Sequence, residues 1–363
     1  MHKKSAQIEK TDPMLKITDP TFDVTKKYSF PDTFFLRFIN DKRDLPFVHL
    51  SLKITLLVIP SACFLFLYKG LNIYLGLIYM ALNFIFFLGP FVLMLHNTSH
   101  RKLFKKKYKR LNNYIPWVLG PFFGQTPETY FHHHIQMHHL ENNLEHDLSS
   151  TLHFRRDSIM DFMNYFISFL FTGMIKLSTY FKKKSMRNSL KMILIGECTY
   201  FLFCLLLLQV NWKATLFVFI FPLIFVRFAM IAGNWAQHAF IDPSCPENIY
   251  RNSITCINST YNKKCFNDGY HIGHHLKPGM HWTEMPNNFL MNLEKYAAEK
   301  AIVFHGLDFF QIWFLLMTRN YSFLAKRTVS LDNTNASRQE IIQFLKQRTA
   351  PVVLPVLLEE RAG

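Results

Sequence analysis

Seventeen histidines stand in this chain of 363 residues, and nine of them fall into groups whose spacing brings imidazoles together. His96 and His100 are four apart, so on a helix they share one face and can grip one metal ion. His134, His138 and His139 form a second group, with His132 and His133 beside them in the sequence. Only His134 stands four residues before His138, and it is the preferred member. His271, His274 and His275 make a third group at i, i+3 and i+4, and His238 closes an Asn234-X3-His238 stretch. A single such pair is more often solvated than metal-bound. Nine imidazoles crowded together would repel one another if protonated and would be costly if buried unpaired, so neutral rings around cations are the stable arrangement. One ion cannot use nine ligands, which implies two. A nitrogen-only set with open positions fits non-haem iron better than structural zinc, although ligand type alone leaves zinc open. The six cysteines show no CxxC pair and are expected to be free thiols.

The elements that position these groups are apolar. Half of the residues are hydrophobic, 16% are aromatic and only 18% are charged, which excludes disorder, collagen and a coiled coil. Residues 51–68, 71–95, 190–210 and 214–232 are each long enough to approach the roughly 20 residues that a bilayer core requires of a helix. The first forty residues are polar and mixed in charge, so no cleaved signal is expected. Arg101, Lys102, Lys105, Lys106, Lys107, Lys109, Arg110, Lys182, Lys183 and Lys184 lie between the second and third stretches, against Lys69 and Lys213 in the short links. By the positive-inside rule the middle segment and both termini share the cytoplasmic side. The expected fold is therefore an all-α membrane protein, with four transmembrane helices in two hairpins and a cytoplasmic helical cap carrying the histidines. Residues 1–49 form a polar N-terminal region, 50–318 the membrane domain, and 319–363 a cytoplasmic tail with a helix and a loose end. Residues 162–181 are apolar but flanked by basic clusters on both sides, which favours a helix lying in the interface over a span. Residues 301–317 and 115–123 read the same way.

Two charges fall inside the spans. Glu197 and Arg227 are predicted to lie at one depth, about 10 Å below the cytoplasmic surface, and to form an ion pair that braces the last span. Arg227, Asn234 and His238 share a helix face, so this pair would support the metal site.

In order and placement, His96/His100, His134/His138/His139 and His271/His274/His275 resemble the HX3-4H, HX2-3HH and HX2-3HH boxes of the membrane-bound fatty acid desaturase and hydroxylase superfamily, over about residues 50–315. The Asn234-to-His238 stretch is similar to the NxxxH element of stearoyl-CoA desaturases and alkane omega-monooxygenases. The resemblance implies a di-iron centre with nine histidine ligands, Asn234 approaching one iron through water, and no catalytic residue beyond the ligands. It implies O2-dependent desaturation of a fatty acyl chain, with hydroxylation of a fatty acid or alkane as the alternative. The substrate would be a membrane lipid or an acyl-CoA, and the membrane the endoplasmic reticulum with the boxes facing the cytoplasm. His146, His153, His281 and His305 fall outside the boxes and are expected to brace ligands or to sit at the surface. Neither an HPGG haem motif nor a GxGxxG fingerprint is present, so electrons would come from an external donor such as cytochrome b5 or a ferredoxin. The formal charge of +16 suits an acidic protein or anionic lipid, and the apolar runs argue against nucleic acid. A histidine-rich metal transporter, the reading from another class, would carry its ligands near the bilayer midplane. Here the histidines begin where the apolar runs end.

Overall fold

The computed structural model describes residues 13–68, 70–331 and 336–352; Lys69 and the outer parts of both terminal regions lie outside them. The described chain is mostly helical. Three helical segments are long and apolar enough to cross a membrane, Lys42–Leu67, Ile73–His100 and Arg187–Gln237. The first is dominated by α1, Leu45–Leu67, which carries a proline in its first turn, where the missing N–H costs nothing. At 1.5 Å per residue it is about 35 Å long. Ile54, Val58, Ala62 and Leu65 pack inward, while Leu56, Leu57, Phe64 and Leu67 stay exposed, an apolar outer face that suits lipid.

The second segment joins α2, Ile73–Asn83, to α3, Gly89–His100, through a π-helical turn at Phe84–Leu88. Asn72 caps its start by accepting from the Leu75 amide at 3.0 Å. Pro90 lacks the N–H that a tight turn would use, and the widened turn accommodates it. The first histidine pair thus ends the same rod that begins at Ile73.

The third segment is too long for one crossing, since 51 residues of straight helix would run about 76 Å. The backbone breaks at Asn211, with φ −155° and ψ 96°, inside Arg187–Thr215, here α5. After a π-helical turn at Leu216–Ile220 the chain continues as α6, Phe221–Gln237. It doubles back there: the Tyr200 hydroxyl donates to the Phe219 carbonyl at 2.9 Å, and Arg227 meets Glu197 at 3.3 Å. The predicted ion pair is present, and the hydroxyls of Thr126 and Thr129 donate to the same carboxylate oxygen. Breaking a buried pair from one side typically costs about 3–5 kcal/mol. Arg227→Glu is therefore expected to lose activity and thermal stability, and Glu197→Arg in the same chain to restore part of both. A double variant no better than either single one would show that the pairing contributes nothing.

Between these segments, Ile159–Lys183 forms the amphipathic helix α4, capped by Ser158. Phe162, Tyr165, Phe166, Leu177 and Tyr180 are buried, and Met160, Ile167, Phe171 and Ile175 are exposed. One apolar face thus packs inward and another stays outward, and the helix is not among the three spanning candidates.

The expectation of an all-α chain is corrected by a small parallel sheet. Strand β1, Ile254–Ile257, pairs with β2, Ile302–His305, in the register Ile254 to Ile302 through Ile257 to His305. These short runs hold β-branched residues and are almost wholly buried, conditions that favour strand over helix. The single interfacial helix expected over residues 301–317 is accordingly split. Gly306 turns the chain at φ +70°, and a helix restarts at Phe309–Met317, where Asp308 and Gln311 form a capping box. Those two polar residues are the start signal of the helix. Residues 115–123 form a π-helical turn and a 3-10 turn, Tyr114–Leu119 and Gly120–Phe123.

The helix Arg338–Arg348 packs Leu345 into a core with Ala236, Phe240 and Phe304. Arg156, fully buried, binds its end. Its guanidinium donates to the carbonyls of Thr151, Leu152, Phe154, Ala239, Arg348 and Ala350, and burial pulls its pKa down to about 9. Polar composition marked this stretch as a tail, but one arginine ties it to the segments that follow the second histidine group and His238.

Candidate metal centre

Each histidine group occupies the end of a helix. His96 and His100 end α3, His238 is the residue after α6, and His271, His274 and His275 lie on the short helix His271–Leu276. The second group starts on Thr129–His133 and continues through a π-helical turn, His134–His138. Such widened turns are rare and frequent at functional sites.

The nine side chains converge in two clusters. His96, His100, His134 and His274 form one, and His138, His238, His271 and His275 the other, with ligand atoms within 4.8 Å of one another in each. His139 joins the first, since its Nε2 lies 3.1 Å from that of His134 and 3.0 Å from that of His274. The π-helical turn sends His134 and His138, which share a helical face by spacing, into different clusters. It also resolves the register: His132 turns to Gln136 at 2.8 Å and Glu128 at 3.6 Å, and His133 lines a separate cavity.

The geometry fits a metal ion. His96 Nε2 lies 3.0 Å from His274 Nε2, His100 Nε2 lies 3.2 Å from His134 Nε2, and His271 Nε2 lies 3.2 Å from His238 Nε2. Nitrogens bound to one ion at about 2.1 Å and at right angles are about 3.0 Å apart, whereas a tetrahedral site spreads them to about 3.4 Å. The observed spacings are those of nitrogens that share one ion. Protons cannot replace it, because a neutral imidazole carries one, and His139 Nε2 meets two other ring nitrogens. Among the described residues, His275 Nε2 and His271 Nδ1 are buried with no hydrogen-bond partner, which leaves His275 Nε2 free for an ion.

Tautomers follow from the neighbours. His238 Nδ1 lies 3.0 Å from the Asn252 carbonyl, which only accepts, so Nδ1 carries the proton and Nε2 presents its lone pair. His138 Nδ1 lies 2.7 Å from Asp147, with the same result. Burial, reinforced by the neighbouring imidazoles, holds His134, His271, His274 and His275 well below the ordinary histidine range. Burial also takes His238 to about 3 and His139 to about 2. Those six rings are therefore held neutral, the form that binds metal. Burial alone would raise the Asp147 carboxyl, yet contacts with His138 and with the hydroxyl and amide of Ser149 hold it well below the usual carboxylate range.

Asp147, Ser149, Asn252 and Arg156 are the residues that sequence reasoning missed. No local spacing marks Asp147 as the partner of His138, and an acidic residue shortly after a histidine group was the one available signal. Among the histidines outside the boxes, His146 and His153 are exposed, and His305 ends β2, partly exposed. His281 departs from a surface role and from the ligands alike. It is buried, and its Nε2 lies 2.9 Å from Asp44, tying the chain before α1 to the segment after the third group. Asn234 donates to the Ser149 carbonyl and the Tyr165 hydroxyl, each at 2.8 Å, which occupies its amide hydrogens and leaves its oxygen.

Residues 71–307 match the sequence model of the fatty acid desaturase family. The chain belongs to that family. The matched stretch begins just before α2 and ends just after β2, and it holds all nine clustered histidines together with Asn234, Glu197 and Arg227. Neither α1 nor the tail held by Arg156 lies inside it. No curated protein and no solved structure matches this desaturase family member significantly.

Proposed function

We propose that the protein is a membrane-bound fatty acid desaturase that inserts a double bond into a fatty acyl chain, using O2 and two electrons from an external donor. The observation that carries this is the placement of the first imidazole cluster beside an apolar-walled cavity. That cavity is walled by Phe169, Met174 and Leu177 of α4, Met230 of α6, and Tyr130. The Tyr130 ring stacks on His134 with centroids 5.3 Å apart, so a chain lying there would pass next to the first cluster. Hydroxylation by the same site is the second reading, because the ligand set supports both outcomes.

In this reading His96, His100, His134, His139 and His274 would hold one iron ion, and His138, His238, His271 and His275 the other, with Asn234 Oδ1 meeting an iron-bound water. Two iron ions so held, given O2 and two electrons, supply an oxidant strong enough to take hydrogen from an unactivated C–H bond. The protein orients the ligands through Asp147 and the Asn252 carbonyl, and the apolar walls exclude water while fixing which carbon is presented. The balance closes when O2 takes two hydrogens from the chain and two protons with the donor's electrons, which yields two waters and one double bond.

Four crossings in two hairpins, with the clusters at the cytoplasmic face of the endoplasmic reticulum, complete the proposal. The reversal at Asn211 and the basic run from Lys105 to Arg110, whose lysines and arginine are exposed, support it. That run suits an acidic donor such as cytochrome b5. Product formation with purified cytochrome b5 is expected to fall steeply as salt rises, and a flat response would remove the electrostatic docking. The reaction itself is tested by expression in a desaturase-deficient host with mass spectrometry of the fatty acids. A new double bond supports desaturation, a new hydroxyl the second reading, and no new product from any lipid overturns both.

A further inference from the structure

The cavity walled by α4 and α6 has apolar sides, but three polar side chains that line it keep hydrogen-bonding capacity to spare. Gln125 is 7% exposed, and its amide nitrogen meets only the sulfur of Met230, at 3.0 Å, a weak acceptor. Arg227 spends one N–H group on Glu197 at 3.3 Å. Among the described residues nothing else accepts from its guanidinium, which lines the cavity. His133 presents a buried Nε2 with no hydrogen-bond partner among the described residues. A hydrocarbon alone would leave these groups unsatisfied, an expensive arrangement. Pockets that place a few convergent polar groups on apolar walls use them to orient a ligand.

We propose that this cavity recognises its lipid by an oxygen atom. Arg227 and Gln125 donate to an acceptor oxygen, and the chain runs along Phe169, Met174 and Leu177 past Tyr130, which stacks on His134. Arg227 on α6 lies eleven residues before His238, the residue that follows the helix, about 16 Å along its axis, so the oxidised carbon is set by its distance from that oxygen and not from the methyl end. The occupant comes from the bilayer, because α4 turns Ile167, Phe171 and Ile175 outward. The inference rests on the desaturase reading and specifies what its substrate carries. The oxygen belongs to a carboxylate, an ester carbonyl or a hydroxyl, which share this chemistry.

The test uses the iron-loaded full-length protein in lipid nanodiscs and four probes: hexadecane, 1-hexadecanol, methyl hexadecanoate and hexadecanoate. Displacement of radiolabelled hexadecanol and hexadecanoate gives the affinities. At least one oxygenated probe is expected to bind roughly tenfold tighter than hexadecane. That advantage is expected to vanish in the Gln125→Leu, Arg227→Lys double variant, while hexadecane binding is kept. Preference for the alcohol identifies a hydroxyl, for ester and acid together a carbonyl, and for the acid alone a carboxylate. Equal binding of all four probes, or an advantage that survives the double variant, overturns the proposal. If the variant fails to fold, the wild-type comparison decides alone. Product formation by wild type is scored separately: product without probe preference overturns only the oxygen recognition, and preference without product overturns only the reaction.

Discussion

Alanine at His271 is expected to reduce product formation to background and to lower the iron content of the purified protein, whereas alanine at His305 leaves most of both. The two residues are both close to the parallel sheet, yet their surroundings differ. His271 is buried, its Nε2 lies 3.2 Å from that of His238, and its ring centroid is 4.4 Å from that of His275. Removing it opens one position in a cluster of four and leaves a hole among buried imidazoles. His305 ends β2 and is partly exposed, so its loss changes local packing alone. Mass spectrometry of the lipids and elemental analysis of the same preparations check both statements. Full activity in His271→Ala would mean that the second cluster is not the metal site. His133→Ala is a stricter control, since it neighbours His134 in sequence and yet belongs to neither cluster. It should keep its iron.

The histidines that cluster were legible in the sequence because metal-binding spacing and helix periodicity coincide. Histidines at i and i+4 mark a helix face, and apolar runs just before them mark the helix that carries that face. The Glu197–Arg227 pair was legible for a related reason, as two charges in apolar runs at matching depth have few other partners. What spacing could not reveal is the division of labour between the clusters. By periodicity His134 and His138 belong together, and only the widened turn separates them. Nor could local pattern reveal contacts made by residues far apart in the chain. The pairing of β1 with β2 joins runs nearly fifty residues apart, each only four residues long, too short to show a period. Arg156 reads as one more basic residue beside Arg155, and its role depends on carbonyls contributed by residues nearly two hundred positions later.

Asp147→Asn is expected to lower iron retention or turnover by about 10- to 100-fold, the usual range for a residue that orients a metal-bound histidine. The reason lies in a count of donors. Four converge on the two carboxylate oxygens: His138 Nδ1 at 2.7 Å and the Asn143 amide at 2.8 Å on one, the Ser149 amide at 2.8 Å and the Ser149 hydroxyl at 2.7 Å on the other. An ionised carboxylate accepts them all. A carboxamide replaces one oxygen with an NH2 group, so whichever way it turns, two buried donors face a third. If the NH2 points to His138, the ring must give up its Nδ1 proton or rotate, and Nε2 no longer presents its lone pair to the second cluster. If it points to Ser149, the loop over residues 147–149 loses both of its bonds to the carboxylate, and the Asn234 amide loses its anchor on the Ser149 carbonyl. Each buried donor left unsatisfied costs about 1–3 kcal/mol, so a lower melting temperature should accompany the loss of iron. Asp147→Ala separates the two effects. It removes the NH2 conflict but leaves His138 Nδ1 only the Ser149 hydroxyl at 3.3 Å, and it should lose iron as badly while the loop relaxes. Wild-type iron content and rate in Asp147→Asn would show that His138 is held by packing alone.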